Sequence, residues 1–150
     1  MNAALETGAL NMMLADCEDI LANMDGFAID LAEAIERDID AKRWVKQADE
    51  ELAAAEAEII AEEAIKAKLG DKESKLAGLA ATSKPYAAAL DAIIAQERRD
   101  GRLAALWADA QQYRRLADDA SMHRERLAVR FSATKAAANL RAAMLGTYST

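Results

Sequence analysis

Apolar side chains recur every three or four positions through residues 102–145, the spacing that places them on one face of an α-helix. This stretch contains no proline or glycine. It predicts one long helix that packs its apolar face against other helices. Arg124 interrupts the series, after which Leu140 and Met144 fit a slightly rotated stripe. The series is Leu103, Leu106, Ala110, Tyr113, Ala117, Ala120, Arg124, Leu127, Phe131, Thr134, Ala138, Arg141 and Leu145.

A similar period runs through the first 70 residues and predicts a first helix over residues 3–23, whose stripe continues through Gly26 to Ile35, and a second helical run from about residue 40 to 69. Asp25 and Gly26 form either a turn or a tolerated interruption of one longer helix, and the unbroken stripe favours the helix. Gly70 and Asp71 end the second run. The two stripes are Leu14, Cys17, Leu21, Met24, Ala28, Leu31 and Ile35, then Val45, Ala48, Leu52, Ala55, Ile59, Ile65 and Leu69.

The middle of the chain carries the clearest helix boundaries. Residues 71–84 read as a linker or weak helix, and Pro85 suits the first turn of a helix capped by Ser83. Asp100–Gly101 is either a tight turn between antiparallel helices or a soft spot in one helix. The neighbouring arginines form one solvated ridge and favour a continuous helix over Pro85–Leu145. Gly146 is its expected stop.

These elements predict an all-α protein of three to five helices, either an elongated helical bundle or a helical hairpin with a long C-terminal helix and coiled-coil-like packing. One domain is expected, divided into an acidic helical region (1–70), a linker (71–84) and a basic long-helix region (85–146).

Charge is distributed unevenly along the 150 residues, whose formal net charge is −7. Residues 1–75 carry 19 acidic and 8 basic side chains, whereas residues 76–150 carry 7 and 11. The split predicts either halves that complement each other or two surfaces for different partners. The single cysteine fits a reducing, cytoplasmic compartment, and no apolar run reaches the roughly 20 residues that span a bilayer.

Catalytic and metal-binding patterns are absent from the sequence. His123 is the single histidine; Asp119 lies one helical turn before it, and Cys17 is far away in the chain. A bundle di-iron site needs Glu-x-x-His on two helices, and zinc sites also need more ligands than one histidine and one cysteine. Phosphate-binding glycine loops are missing as well. We therefore expect no enzyme activity, no cofactor and no metal.

Two charged surfaces are the candidate binding sites. Residues 1–40 hold ten carboxylates against Arg37 alone, and carboxylates spaced along a helix can imitate the phosphates of a nucleic acid. We call six of them the acidic face: Asp16, Asp19, Asp30, Glu33, Glu36 and Asp40. The alternative is an ordinary solvated acidic helix.

The second surface consists of arginines, which suit bidentate contact with phosphate or carboxylate. Trp107, Tyr113 and Phe131 offer stacking surfaces for bases, although core packing explains their positions better, since they lie on or beside the apolar stripe. Alternatively, the arginines pair with the acidic helices, within one chain or across a dimer. We call this the basic set: Arg98, Arg99, Arg102, Arg114, Arg115, Arg126 and Arg130.

Residues 68–144 resemble small helical coiled-coil accessory proteins of tailed phages and prophages. The similarity lies in Pro85-Tyr86, in Glu97-Arg98-Arg99, and in an Ala/Leu/Arg-rich helix with Gln112-Tyr113-Arg114-Arg115-Leu116 and Arg126-Leu127. The resemblance implies an accessory protein that acts by binding, and it supplies no functional residues.

Three functions remain open. The leading hypothesis is a phage-encoded inhibitor or modulator, of the anti-CRISPR or anti-defence kind, whose acidic face binds a basic nucleic-acid-handling protein. The second is a self-assembling structural or scaffolding coiled coil, either a homodimer or a higher oligomer. The third is a recombination accessory protein that binds single-stranded DNA through the basic set.

Overall fold

The computed structural model describes the backbone of residues 2–148 and the side chains of residues 6–12 and 14–146. It contains α1 (Asn2–Lys68), α2 (Lys84–Asp100) and α3 (Ala104–Tyr148), with no strand in the described part. The all-α prediction is confirmed, and α1 packs against the long C-terminal α3. The two helical runs predicted before residue 70 form one helix, which continues through Gly26 as the stripe indicated.

α1 ends where the sequence predicted. Gly70 adopts a φ of 75°, a left-handed conformation that glycine adopts without a Cβ penalty. Its N–H donates to the Ala67 carbonyl at 3.2 Å, and the Asp71 N–H donates to the Lys66 carbonyl at 3.1 Å. These two bonds satisfy the last carbonyls of α1 and form a Schellman motif.

The start of α2 also follows the sequence. Ser83 is the N-cap residue, and its hydroxyl accepts a hydrogen bond from the Tyr86 N–H at 3.3 Å, while Pro85 lies in the first turn. α2 does not continue into α3, so the predicted helix over Pro85–Leu145 is wrong. At Gly101 the chain turns, and the Glu97 carboxylate accepts from the Arg102 N–H at 2.8 Å.

α3 extends further than predicted, because Gly146 lies inside the helix and the helix ends at Tyr148. Gly146 therefore does not act as a stop. A single glycine in a helix costs about 1 kcal/mol relative to alanine, which the neighbouring turns tolerate.

The chain divides into two compact units. Unit 1 combines residues 1–40 with 118–150, and unit 2 comprises residues 41–117. Unit 2 holds the hydrophobic core, to which α1, α2, α3 and the segment before α2 all contribute. Leu76 belongs to that segment and is 1% exposed, so residues 71–84 cover one end of the core. The core cluster is Ala48, Leu52, Ile59, Leu76, Ile93, Leu103 and Ala110.

Unit 1 is built differently, from one stretch of α1 against one stretch of α3. Among its described residues only Ala34, Asp38 and Leu127 are buried. Leu127 is thus the one large apolar side chain removed from water there, which contributes about 1.5–3 kcal/mol.

The inner face of α1 differs from the predicted stripe in the first 40 residues. Leu14 and Leu21 are 46% and 57% exposed, whereas Ile20 and Phe27 lie partly buried. The series over residues 45–59 is confirmed, but its predicted continuation to Ile65 is wrong, since this side chain is 57% exposed. The inner positions alternate three and four apart, as in a coiled coil: Cys17, Ile20, Met24, Phe27, Leu31, Ala34, Asp38, Ala41, Val45, Ala48, Leu52, Ala55 and Ile59.

Candidate functional site

A polar cluster interrupts the inner face of unit 1. Asp38 is 1% exposed and occupies a position that a coiled coil normally fills with an apolar side chain. Its Oδ1 accepts from the Ser121 hydroxyl at 2.6 Å, and its Oδ2 accepts from Arg124 Nη1 at 2.8 Å. Arg124, the residue that broke the apolar series of α3, is therefore explained by the carboxylate opposite it.

The acidic face lies on α1 of unit 1, and all six of its side chains are exposed. Asp19 and Asp30 are eleven residues apart, about three turns, so they point to the same side of the helix. Glu33 follows Asp30 at a spacing of three, whereas Glu36 lies about 120° around the helix from Asp30. The structure therefore exposes all six predicted acidic residues on α1, over roughly half of the helix circumference.

Cations leave most of this surface uncovered. Asp16 lies 3.8 Å from Arg141, with its side chain 55% exposed. Within the described part of the chain, Asp19, Glu33 and Glu36 form no ion pair. Asp19, Glu33 and Glu36 are therefore available to an external partner.

The acids of unit 2 show the opposite pattern, because three of them bind members of the basic set. Arg98 donates from Nε and Nη2 to Glu56, the former at 2.8 Å. Two further pairs, each at 2.8 Å, are Arg102–Glu62 and Arg114–Asp49. These arginines have side chains 34–54% exposed, so solvent screens each pair and its contribution to stability is small.

Two further contacts occupy the same arginines. The hydrogen bond to Glu62 is the largest cause of the raised pKa of Arg102; partial desolvation opposes it, and nearby carboxylates reinforce it. The guanidinium of Arg98 lies 4.4 Å from the centre of the Trp107 ring, a cation–π contact. Trp107 packs against the hydrophobic core, so its ring is engaged on both sides.

The other four arginines of the basic set are exposed and form no ion pair with any described residue. Arg99 and Arg115 belong to unit 2, whereas Arg126 and Arg130 lie on α3 in unit 1. The predicted basic surface is thus split into paired and unpaired arginines. The alternative that arginines neutralise the acidic helix holds for Arg98, Arg102 and Arg114.

His123 lines a small cavity in unit 1 with Asp30, Glu33 and Arg37. The cavity measures about 140 Å³ and is floored by Ala34 and Leu127. Among the described residues, no group of three or more His, Cys, Asp and Glu side chains is arranged to hold a metal ion. Cys17 is not among the residues that line this cavity.

An aromatic pair in unit 2 was missed by the sequence analysis. The rings of Trp44 and Tyr113 lie 6.3 Å apart and tilted by 50°, and they line a shallow depression with Gln47 and Glu51. Trp44 is 49% exposed. Its position one residue before the inner-face Val45 was the available signal, since a large aromatic side chain beside a coiled-coil seam reaches across it.

Comparisons with protein-family models, with curated proteins and with solved structures found no match. Among the residues that the structure describes, none of the three helices combines the length and apolarity needed to cross a bilayer.

The two units differ most in charge. Unit 2 carries 13 acidic and 13 basic side chains, and unit 1 carries 13 acidic and 6 basic. The whole net charge of −7 therefore resides in unit 1. This concentration makes the acidic face the strongest candidate binding site of the chain.

Proposed function

We propose that this protein is a non-catalytic binding protein whose acidic face docks on a basic, nucleic-acid-handling protein and inhibits or modulates it. The resemblance of residues 68–144 to phage accessory proteins supports a phage-encoded factor of the anti-CRISPR or anti-defence kind. The observation that carries the proposal is that the entire formal charge of −7 lies in unit 1, whereas the acidic and basic residues of unit 2 are equal in number.

The spacing of the carboxylates supports nucleic-acid mimicry. Asp30, Glu33, Glu36 and Asp40 span ten residues, which is about 15 Å along a helix. One strand of duplex DNA presents a phosphate about every 3.4 Å along its axis. The carboxylates of α1 and the phosphates of one DNA strand therefore present negative charge at a linear density of the same order, and both are carried on a regular helix.

The rigid support adds to the argument. Asp30, Glu33 and Glu36 project from the middle of a continuous helix, so their positions are set before the partner arrives. Binding then orders few side chains beyond the carboxylates themselves, which limits the entropic cost of association. A basic groove steers such a surface into place and gains affinity that depends strongly on salt.

The test neutralises the acidic face without disturbing the helix. The triple variant Asp30→Asn, Glu33→Gln, Glu36→Gln removes three charges and keeps the side-chain shapes. Full-length protein, tagged and immobilised, captures proteins from an extract of the organism that encodes it, and quantitative mass spectrometry identifies them. We expect nucleic-acid-binding proteins on the parent column, release of these proteins by added duplex DNA, and a loss of at least about tenfold with the triple variant.

A matched control carries the same change in charge elsewhere. The variant Glu58→Gln, Asp91→Asn, Asp109→Asn alters exposed acids of unit 2 that form no ion pair within the described chain. It should capture as well as the parent does. Equal capture by both triple variants, or capture that duplex DNA leaves unchanged, would exclude mimicry by the acidic face.

A further inference from the structure

The outer side of α3 in unit 1 carries a second apolar stripe, turned away from α1. Met122, Val129 and Leu140 are 50%, 69% and 64% exposed. Ala133 and Ala136 lie between them and are also exposed, so the stripe advances by steps of seven, four, three and four. This is the spacing of a helix face that packs against another helix.

α1 carries a matching stripe. Leu14, Leu21 and Ile39 are 46%, 57% and 50% exposed, and the exposed Ala28 and Ala32 continue the line between them. Both helices of unit 1 therefore present one apolar face to each other and a second to solvent. Contiguous apolar surface of this kind on a monomer marks an interaction site.

The sparse core of unit 1 points in the same direction. With Leu127 as its one large buried apolar side chain among the described residues, unit 1 leaves more large apolar side chains exposed than it buries. Two-helix arrangements bury little, whereas four helices share a core that uses both stripes. A second pair of helices would cover the exposed apolar stripes and complete a core for unit 1.

The charges that border the stripes identify the occupant. Arg126 and Arg130 flank the stripe of α3 and outnumber the one acid, Glu125, that lines the same surface groove with them, Met122 and Val129. Glu18 and Asp25 lie beside the stripe of α1, seven residues apart. Neither these two arginines nor Glu18 and Asp25 have an ion-pair partner within the described chain.

We propose that unit 1 dimerises with a second copy of this chain, the α1 stripe of each copy packing on the α3 stripe of the other. Two copies bring the acids beside α1 against the arginines beside α3, twice over, as a self-complementary interface requires. An anionic lipid surface would suit Arg126 and Arg130 but would repel Glu18 and Asp25, which makes a second copy the better fit. This inference rests on the apolar stripes and their bordering charges, and it does not rest on the proposed function.

Sedimentation equilibrium of the full chain tests the apolar part. Val129→Glu with Leu140→Glu places charges in the proposed interface, and the matched control Ile60→Glu with Ile65→Glu changes exposed isoleucines of unit 2. We expect a dimer for the parent and the control. The interface variant should raise the dissociation constant by at least about a hundredfold, because two apolar contacts are lost. A monomeric parent, or equal association of the two variants, would overturn the proposal.

A charge swap tests the pairing with variants that leave the apolar stripes intact. Arg126→Glu with Arg130→Glu should weaken the dimer, and adding Glu18→Arg with Asp25→Arg should restore it. Failure of this restoration would overturn the pairing. Cosedimentation with phosphatidylserine vesicles completes the test: binding by a monomeric parent that Val129→Glu abolishes would assign the stripe to a lipid surface instead.

Discussion

Removal of Asp38 and removal of Arg124 should have very different costs, although the two side chains share one hydrogen bond. The Asp38 side chain is 1% exposed and that of Arg124 is 44% exposed. Arg124→Met leaves a buried carboxylate without its guanidinium, and the loss of one partner from a buried pair costs about 3–5 kcal/mol. We expect about 3 kcal/mol, because the Ser121 hydroxyl still donates to Asp38.

Asp38→Leu should instead be nearly neutral. The released Arg124 guanidinium is already half in water and rehydrates at little cost. The lost hydrogen bond to Ser121 costs about 1 kcal/mol, and burial of a leucine side chain at this inner position contributes about 1.5–3 kcal/mol in return. The net change in unfolding free energy is expected to stay within about 1 kcal/mol of zero.

Urea unfolding followed by far-ultraviolet circular dichroism measures both variants and their combination. The double variant should be no less stable than Asp38→Leu, so the cycle gives a coupling of about 2–3 kcal/mol. Equal losses in the two single variants with no coupling would refute the reasoning, since they would show that Asp38 is solvated or that Arg124 stabilises by packing alone.

Three further predictions follow from single positions, each measured by the same unfolding experiment. Leu76→Ala should cost about 2–5 kcal/mol, because this fully buried side chain closes one end of the core; a loss below 1 kcal/mol would place the segment outside the core. Gly26→Ala should stabilise the protein by about 0.5–1 kcal/mol, since this glycine lies inside α1. Gly70→Ala should destabilise it by about 1–2 kcal/mol, because Gly70 has a positive φ. Changes of the same sign in both variants would contradict the placement of Gly26 inside the helix and of Gly70 at its end. The destabilisation caused by Arg102→Gln should be equal at pH 7 and pH 10. Because the pKa of Arg102 is raised, the guanidinium stays charged at both pH values and its contribution to stability is retained. A smaller destabilisation at pH 10 would contradict the hydrogen bond between Arg102 and Glu62.

The sequence predicted those features that depend on neighbouring residues. The helical period, the Ser83 cap and the Gly70 terminus are local, and all three are found in the structure. The turn at Gly101 is not local. It is fixed by the Glu97 side chain, which binds the Arg102 N–H, and by the packing of α2 and α3 on the core, so the run of arginines around it was a misleading guide.

The inner face of α1 could not be chosen from periodicity alone. Leu14 and Leu21 form an apolar line as good as that of Ile20 and Phe27, because α1 has an apolar line on two sides. Which line faces α3 depends on the position of Asp38 opposite Arg124, a contact between residues 86 apart in sequence. The exposure of the acidic face follows from that choice.

The candidate site was therefore predictable in part. Clustering of acids in the first 40 residues is visible in the sequence, and the structure leaves all six chosen carboxylates exposed on α1. Neutralisation of Arg98, Arg102 and Arg114 by α1 was an open alternative that only three-dimensional pairing decides.

The contact between Asp38 and Arg124 also affects the register of α1 against α3 in unit 1. The inner positions around it include Ala34, Ala120 and Ala138, whose repeated small side chains offer similar contacts after a shift of one heptad. Such a shift moves Asp38 about 10 Å from Arg124 and leaves both charges without their partner. A buried polar contact that specifies register at a cost in stability is the best-attested role of such groups in coiled coils.

Replacement of both Asp38 and Arg124 by leucine should therefore preserve stability and lose the unique alignment. Spin labels at Asp30→Cys and Ser132→Cys, in a Cys17→Ala background diluted with unlabelled chain, report the distance between α1 and α3 within unit 1. We expect one narrow distance population in the parent and a second population in the double-leucine variant. One unchanged population in that variant would mean that the apolar side chains suffice to align the helices, because no charge would then remain at the inner face to select the register.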